Sequence, residues 1–278
     1  MKLRLLPLAV AALVAVPIAA AAEQTRSLSL PGLADPLVTG GIRAGWMAEG
    51  GRRLAGLELQ LAPGWKTYWR APGDAGIAPL VDWSGSENLR AARILWPKPE
   101  VFTLNGMRTL GYSGGVVLPV EVTPRDPSRP VHLHATLEIG VCRDVCVPAD
   151  LRLEAQVSGA GERDPAIRAA LAARPATAAE AGLVRLTCRV EPLRDGLRVT
   201  ATMDLPPQGG DEAVVMEPAA PGVWVSEALV SRTGNRLTAV AEMVDPTGAP
   251  FALDRSAMLV TVVGARNAVE HRGCPAAP

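Results

Sequence analysis

PVHLHATLEIGVCRDVCVPADLRLEAQV (130–157) decides how the chain is to be read. In its first part Val131, Leu133, Ala135, Leu137, Ile139 and Val141 alternate with His132, His134, Thr136, Glu138, Gly140 and Cys142. That is the period of a strand with one apolar and one polar face. LRLEAQV (151–157) alternates again, so CRDVC (142–146) forms the connection between two adjacent strands. An extended chain would hold Cys142 and Cys146 roughly 13 Å apart. A disulfide needs Cα atoms within about 7 Å. Joining the two sulfurs therefore demands a sharp turn, with Arg143 and Asp144 at its tip, at one end of a sheet.

Working outward, residues 24–158 read as short strands punctuated by Gly and Pro. Examples are GLELQLAPG (56–64), AARILWPKP (91–99) and GGVVLPVEVTP (114–124). Strands of this kind with few helical patterns indicate an antiparallel sandwich or barrel. DPAIRAALAARPATAAEAG (164–182) differs: Asp164 can cap a helix, Pro165 suits its first turn, and Pro175 stops it. Residues 159–182 are thus expected to be a helical, Ala-rich linker. From Leu183 to Pro278 the strand pattern resumes in VRLTCRV, GLRVTATMDL, GVWVSEALV, NRLTAVAEMV and SAMLVTVVG, a second β-sandwich. GLELQLAPG and GLRVTATMDLPP look like corresponding strands of the two halves. The expected fold class is all-β.

The N-terminus carries Lys2 and Arg4, an apolar stretch from Leu5 to Ile18 and small residues ending in an A-x-A pattern, which reads as a signal peptide over 1–22. The apolar stretch is short for a membrane span of about 20 residues. The mature chain is expected to be soluble, not membrane-spanning, and periplasmic. The 28 basic and 28 acidic residues leave no basic field, which argues against nucleic acid as a partner. Eight of the ten aromatic residues fall between Trp46 and Tyr112. In PGWKTYWRAPGDAG (63–76), at least one of Trp65, Tyr68 and Trp69 is expected at the end of the sandwich rather than inside it.

Four cysteines in an oxidising compartment allow one or two disulfides. Closing the five-residue loop 142–146 stabilises by about 2 kcal/mol, against about 4.6 kcal/mol for the long loop between Cys188 and Cys274. Cys188–Cys274 reads as a structural bridge fastening the C-terminal tail. The short, sharply turned pair reads as one that exchanges. As a metal site it falls short: His134 lies about 27 Å from Cys142 along a continuous strand, and two thiolates alone suit only linear Cu(I). Thioredoxin-type chemistry also fits poorly, because that uses C-x-x-C at a helix N-terminus. These thiols are therefore expected to have more ordinary pKa values. A staple, a Cu(I) clip and an electron relay all remain open on these residues, with the relay favoured.

PGWKTYWRAPGDAGIAP (63–79), WSGSENL (83–89), WPKPEVF (96–102), LGYSGGVVLPVEV (110–122) and GVCRDVCVPAD (140–150) together resemble the N-terminal periplasmic region of the DsbD/ScsB thiol:disulfide interchange proteins. The closer match is the ScsB branch, associated with suppression of copper sensitivity. The resemblance implies immunoglobulin-like sandwiches and a redox pair, Cys142 and Cys146. It implies electrons taken from a membrane-embedded thiol reductase and passed to periplasmic thioredoxin-like proteins, with no cofactor and no metal. It further implies a cap in VFTLNGMRTLGY (101–112), with Phe102, Leu104 and Met107 as cover and Tyr68, Trp69 and Tyr112 near the site. The DsbD branch spaces its cysteines farther apart and has an aromatic residue in the cap where Leu104-Asn105-Gly106 stands here. The family's polytopic membrane and thioredoxin-like domains find no match in these 278 residues, so the reductase is expected to be a separate protein. The alternatives are a copper(I)-binding module built on the same cysteines and an exported adaptor with two structural bridges.

Overall fold

The computed structural model describes residues 26–28, 36–104 and 106–277, excepting the side chains of 26–28 and of Leu104. The leader read at 1–22 lies outside the described residues.

The first unit contains β1 (Arg26–Leu28), β2 (Val38–Met47), β3 (Arg53–Leu61), β4 (Lys66–Tyr68), β5 (Leu80–Asp82), β6 (Leu89–Ile94), β7 (Glu100–Leu104), β8 (Met107–Ser113), β9 (Gly115–Pro124), β10 (Val131–Cys142) and β11 (Cys146–Val157). They form two sheets, in the orders β1-β2-β3-β9-β6 and β11-β10-β4-β8-β7, with β5 also on β10. The apolar positions predicted from alternation face inward. Leu57, Leu59, Leu118 and Val120 of one sheet are buried with Leu133, Leu137, Leu151 and Leu153 of the other. Each such side chain contributes about 1.5–3 kcal/mol by leaving water. In β2 the register slips between Arg43 and Trp46. Gly45 sits there at φ +62, where a Cβ would lie 1.8 Å from the Leu54 carbonyl oxygen.

Helix α1 (Pro165–Ala172) starts where the sequence places it. The Asp164 carboxylate accepts from the amides of Ala166 and Ile167 at its N-terminus, and Arg43 of β2 donates to the same carboxylate at 2.8 Å. Burial opposes ionisation of Asp164, but these amides and the guanidinium prevail and hold its pKa below the ordinary value. Fully buried Ile167 fills the space left by Gly56 and Gly45. The helix is thus packed onto the first sandwich rather than strung between two units.

The second unit contains β12 (Ala176–Thr177), β13 (Arg185–Leu193), β14 (Gly196–Asp204), β15 (Ala213–Glu217), β16 (Trp224–Val225), β17 (Leu229–Thr233), β18 (Arg236–Val244), β19 (Leu259–Val263) and β20 (Ala268–Arg272). Its sheets run β12-β20-β19-β15 and β13-β14-β18-β16, with β17 also on β18. Ala176–Thr177, in the stretch read as linker, pairs in parallel with Val269 and Glu270; the other strand pairs are antiparallel. The protein is an all-β pair of immunoglobulin-like sandwiches. β3 and β14 hold equivalent places, each pairing back to the preceding strand and onward to a later one. Cys188 and Cys274 are disulfide-bonded in the second core, with Cα atoms 5.4 Å apart. The tail is further held by backbone bonds from Cys188 to Pro275 and from Ala277 to Cys188, and by Arg255 on the carbonyls of Cys274 and Cys188. Among the described residues no helix is long and apolar enough to cross a membrane.

Candidate redox site

β10 and β11 pair in unbroken register from Val131↔Val157 to Cys142↔Cys146. The two cysteines are therefore the last cross-strand pair, and Arg143, Asp144 and Val145 make the whole turn. An Arg143 amide to Val145 carbonyl bond of 3.1 Å closes it. The Cα atoms lie 4.1 Å apart and the sulfurs are bonded.

The pair is asymmetric. Cys146 is exposed, whereas Cys142 is 2% exposed. Gly140 and Cys142, expected on a polar, solvated face, are buried because the segment from Lys66 to Ile77 folds over that end of β10. β4 pairs there, with Lys66 directly opposite Cys142. Just beyond, Ile77 and the Tyr68 ring cover Gly140, where a Cβ would lie 2.9 Å from Ile77 and 3.2 Å from Tyr68. The missing side chain of Gly140 is the recess that lets the ring lie flat.

Tyr68 brings its hydroxyl to 3.2 Å from Cys142 Sγ as donor and to 3.6 Å from Cys146 Sγ. Burial raises the phenol pKa, so the group keeps its proton and remains a donor. A disulfide sulfur is a weak acceptor, but a thiolate formed at Cys142 would receive a charge-assisted bond from the same hydroxyl. Lys66 supplies a cation on the same face, since opposed residues of paired strands project to one side with Cβ atoms about 4.5–5.5 Å apart. Its ammonium donates to Thr109 Oγ1 at 3.3 Å and lies 4.8 Å from the centroid of the Phe102 ring. Burial lowers the Lys66 pKa. At the tip, the Arg143 guanidinium lies 5.2 Å from the centroid of the Trp65 ring. Attack on exposed Cys146 would thus expel Cys142 as a thiolate beside the Tyr68 phenol.

Residues 41–158 match the family model described as "Thiol:disulfide interchange protein DsbD, N-terminal". This stretch of the chain is similar to the DsbD N-terminal family. The crystal structure of the N-terminal periplasmic domain of ScsB from Proteus mirabilis is similar, with a TM-score of 0.66 at 23% sequence identity. The likeness covers 91% of this chain and 100% of that one. Such coverage runs well past residue 158, so the likeness in fold includes the second sandwich. Among curated protein sequences there is no match.

Within the first sandwich the expected cap residues occupy different places. β7 and β8 form a hairpin that joins the sheet through β4. Half-buried Phe102 stands over Lys66. Leu104 ends β7, its side chain outside the described set, and Met107 is 50% exposed. Trp69 and Tyr112 point into the core instead: Trp69 is fully buried, and buried Tyr112 donates to the Pro97 carbonyl at 2.9 Å. Burial pushes the Tyr112 phenol far above its ordinary pKa. Of the aromatic residues named from sequence, Tyr68 is the one whose polar atom meets the sulfurs. Lys66 was missed, although its i, i+2 spacing to Tyr68 on a strand is the pattern that places both on one face. His132 and His134 lie farther down β10, opposite Gln156 and Glu154.

Proposed function

We propose that this chain is a periplasmic thiol–disulfide exchange relay that passes electrons between a membrane-embedded thiol reductase and periplasmic thioredoxin-like proteins through Cys142–Cys146. The observation that carries this reading is the asymmetry of the pair: one sulfur-bearing residue faces solvent while the other lies under a phenolic donor. The match of residues 41–158 to a thiol:disulfide interchange family model and the leader-like N-terminus support it.

A thiolate of the reduced partner attacks Cys146 Sγ, the Cys142–Cys146 bond breaks, and its electron pair leaves on Cys142. The partner's second thiolate then attacks its own sulfur in the mixed disulfide. This releases Cys146 as a thiolate and leaves the partner oxidised. Two electrons have moved, and both relay sulfurs take up protons or remain partly ionised. The same steps in reverse reduce the next protein. A lower leaving-group pKa speeds the first step, and the Tyr68 hydroxyl stands where it would lower it. Val145 at 64% exposed, next to Cys146 in the turn, provides an apolar contact beside the exposed sulfur for a docking partner.

Trapping tests the order of events. Cys142→Ala leaves Cys146 without its resolving partner and is expected to accumulate mixed disulfides in periplasmic extracts. Cys146→Ala, whose remaining thiol is buried, is expected to yield at least tenfold fewer. Equal trapping by both variants would reject the assigned order, and adducts from neither would reject the relay.

A further inference from the structure

Tyr68 is held in the first sandwich by the pairing of β4 with β8, and the chain just beyond it also meets the second sandwich. Two residues on, Arg70 leaves the first sandwich and enters an acidic pair of the second. It donates through Nε and Nη2 to both carboxylate oxygens of Glu217 at 2.9 Å, and through Nη2 to Glu270 at 2.5 Å. Its guanidinium also stacks on Trp69, 4.2 Å from the ring centroid. Farther along the same segment Asp74 accepts from the backbone amide of Glu227 at 3.2 Å. Arg108, on the neighbouring β8, donates to the Glu212 carbonyl at 3.4 Å and faces the Glu227 carboxylate at 3.7 Å. Glu217 and Glu270 come from the edge strand β15 and from β20, while Glu227 lies in the break between β16 and β17. Three elements of the second unit thus converge on the segment that shields Cys142.

Apolar packing joins the two units as well, since Ala213, Val263 and Ala268 are buried in one cluster with the first core. A cavity of about 590 Å³ opens beside it, bounded by Pro72, Gly73 and Leu110 on one side and by Met216, Pro221 and Trp224 on the other. Space rather than side chains backs much of the run from Pro72 to Gly76. Beside the cavity the directional contacts of Arg70 and Asp74 add orientation to that apolar contact. A bidentate guanidinium–carboxylate pair fixes orientation as well as distance.

We infer that the second sandwich serves as a clamp whose Glu217, Glu270 and Glu227 grip Arg70 and Asp74, so that Tyr68 stays on Cys142 and incoming thiols are confined to Cys146. Arg70 is a positioning residue in this account; it acts through Tyr68. The inference rests on the exchange reading given above and assigns the second unit a part in it.

The test is the choice of sulfur. The full chain is treated with reduced glutathione, quenched with acid, and the mixed disulfide is located by peptide mass. In the unaltered chain the adduct is expected on Cys146 over Cys142 by tenfold or more. Glu217→Gln with Glu270→Gln, and separately Asp74→Ala, should bring the ratio to within about threefold of unity. Thermal melts would confirm that both variants are folded. Tyr68→Ala should give the same loss, and adding the clamp substitutions to it should change nothing further. If both clamp variants are folded and keep the original ratio, the clamp is wrong while the relay stands. If the clamp substitutions and Tyr68→Ala add fully, the route through Tyr68 is wrong. If the unaltered folded chain forms no adduct at either sulfur, the exchange reading itself fails, and the clamp with it.

Discussion

Replacing Tyr68 with Phe is expected to raise the thiol pKa of reduced Cys142, because a hydrogen bond to a charged group contributes about 1.5–3 kcal/mol. The substitution keeps the ring in its slot between Gly76 and Gly140 and removes only the hydroxyl 3.2 Å from the sulfur. The sign follows from which form the bond favours. A phenol donates to the thiolate better than to the thiol, so the unaltered protein has the lower pKa and the variant the higher. Loss of a group that stabilises the reduced, ionised form also makes the couple more reducing, by about 30–60 mV. Alkylation rates of reduced Cys142 followed against pH give the pKa directly. An unchanged or lowered value in Tyr68→Phe would show that the hydroxyl does not act on the sulfur.

The second large effect concerns stability. Substituting Cys188 and Cys274 with Ala is expected to lower the unfolding free energy of the second sandwich by about 4–5 kcal/mol, since the bond closes a loop spanning 86 residues. Domains of this kind have only about 5–15 kcal/mol in total. The bridge joins β13 to the tail after β20, where Arg255 and the Pro275 and Ala277 backbone also meet. Opening Cys142–Cys146 releases a five-residue loop and should lower stability by about 2 kcal/mol. Urea unfolding of the two double variants, followed by circular dichroism, compares them. A loss under about 1 kcal/mol for Cys188→Ala with Cys274→Ala would contradict the division into a strong staple and a weaker, working bond.

How much of this was legible in the sequence differs from place to place. The β10–β11 hairpin was readable because twelve-residue strands carry enough alternation to fix a register, and Cys142 and Cys146 fell at its closed end. Asp164, Pro165 and Pro175 announced the helix by cap chemistry that is local. What covers Cys142 was not readable, because it depends on the pairing of β4 with β10. A three-residue strand, Lys66-Thr67-Tyr68, has no period of its own. For the same reason the alternation of β10 assigned Gly140 and Cys142 to solvent, when a distant segment buries both. The expectation of ordinary thiols came from the lack of a helix N-terminus at the pair; the Tyr68 phenol on Cys142 arrives from another strand and has no local signal. β2 was not named from the sequence, since Gly40, Gly41 and Gly45 interrupt its alternation, and Gly45 serves a bulge. GVWVSEALV read as a single strand, and its break at Ser226-Glu227 became explicable once Glu227 was seen to reach Asp74 and Arg108. Trp69 and Tyr112 were grouped with the site by resemblance, yet the inward face of this sheet takes both. The resemblance located the right segment, and side-chain direction within it required coordinates.

The central claim is that Cys142–Cys146 opens and closes reversibly in the folded protein. Its most direct test is the equilibrium reduction potential of that pair in the folded chain, with Cys188–Cys274 left oxidised, measured against defined dithiol buffers. The account predicts a value above about −300 mV, in the range of exchanging thiol proteins and clear of structural disulfides. A value well below about −300 mV, or reduction that occurs only on unfolding, would mean that the bond is a staple and would contradict the account.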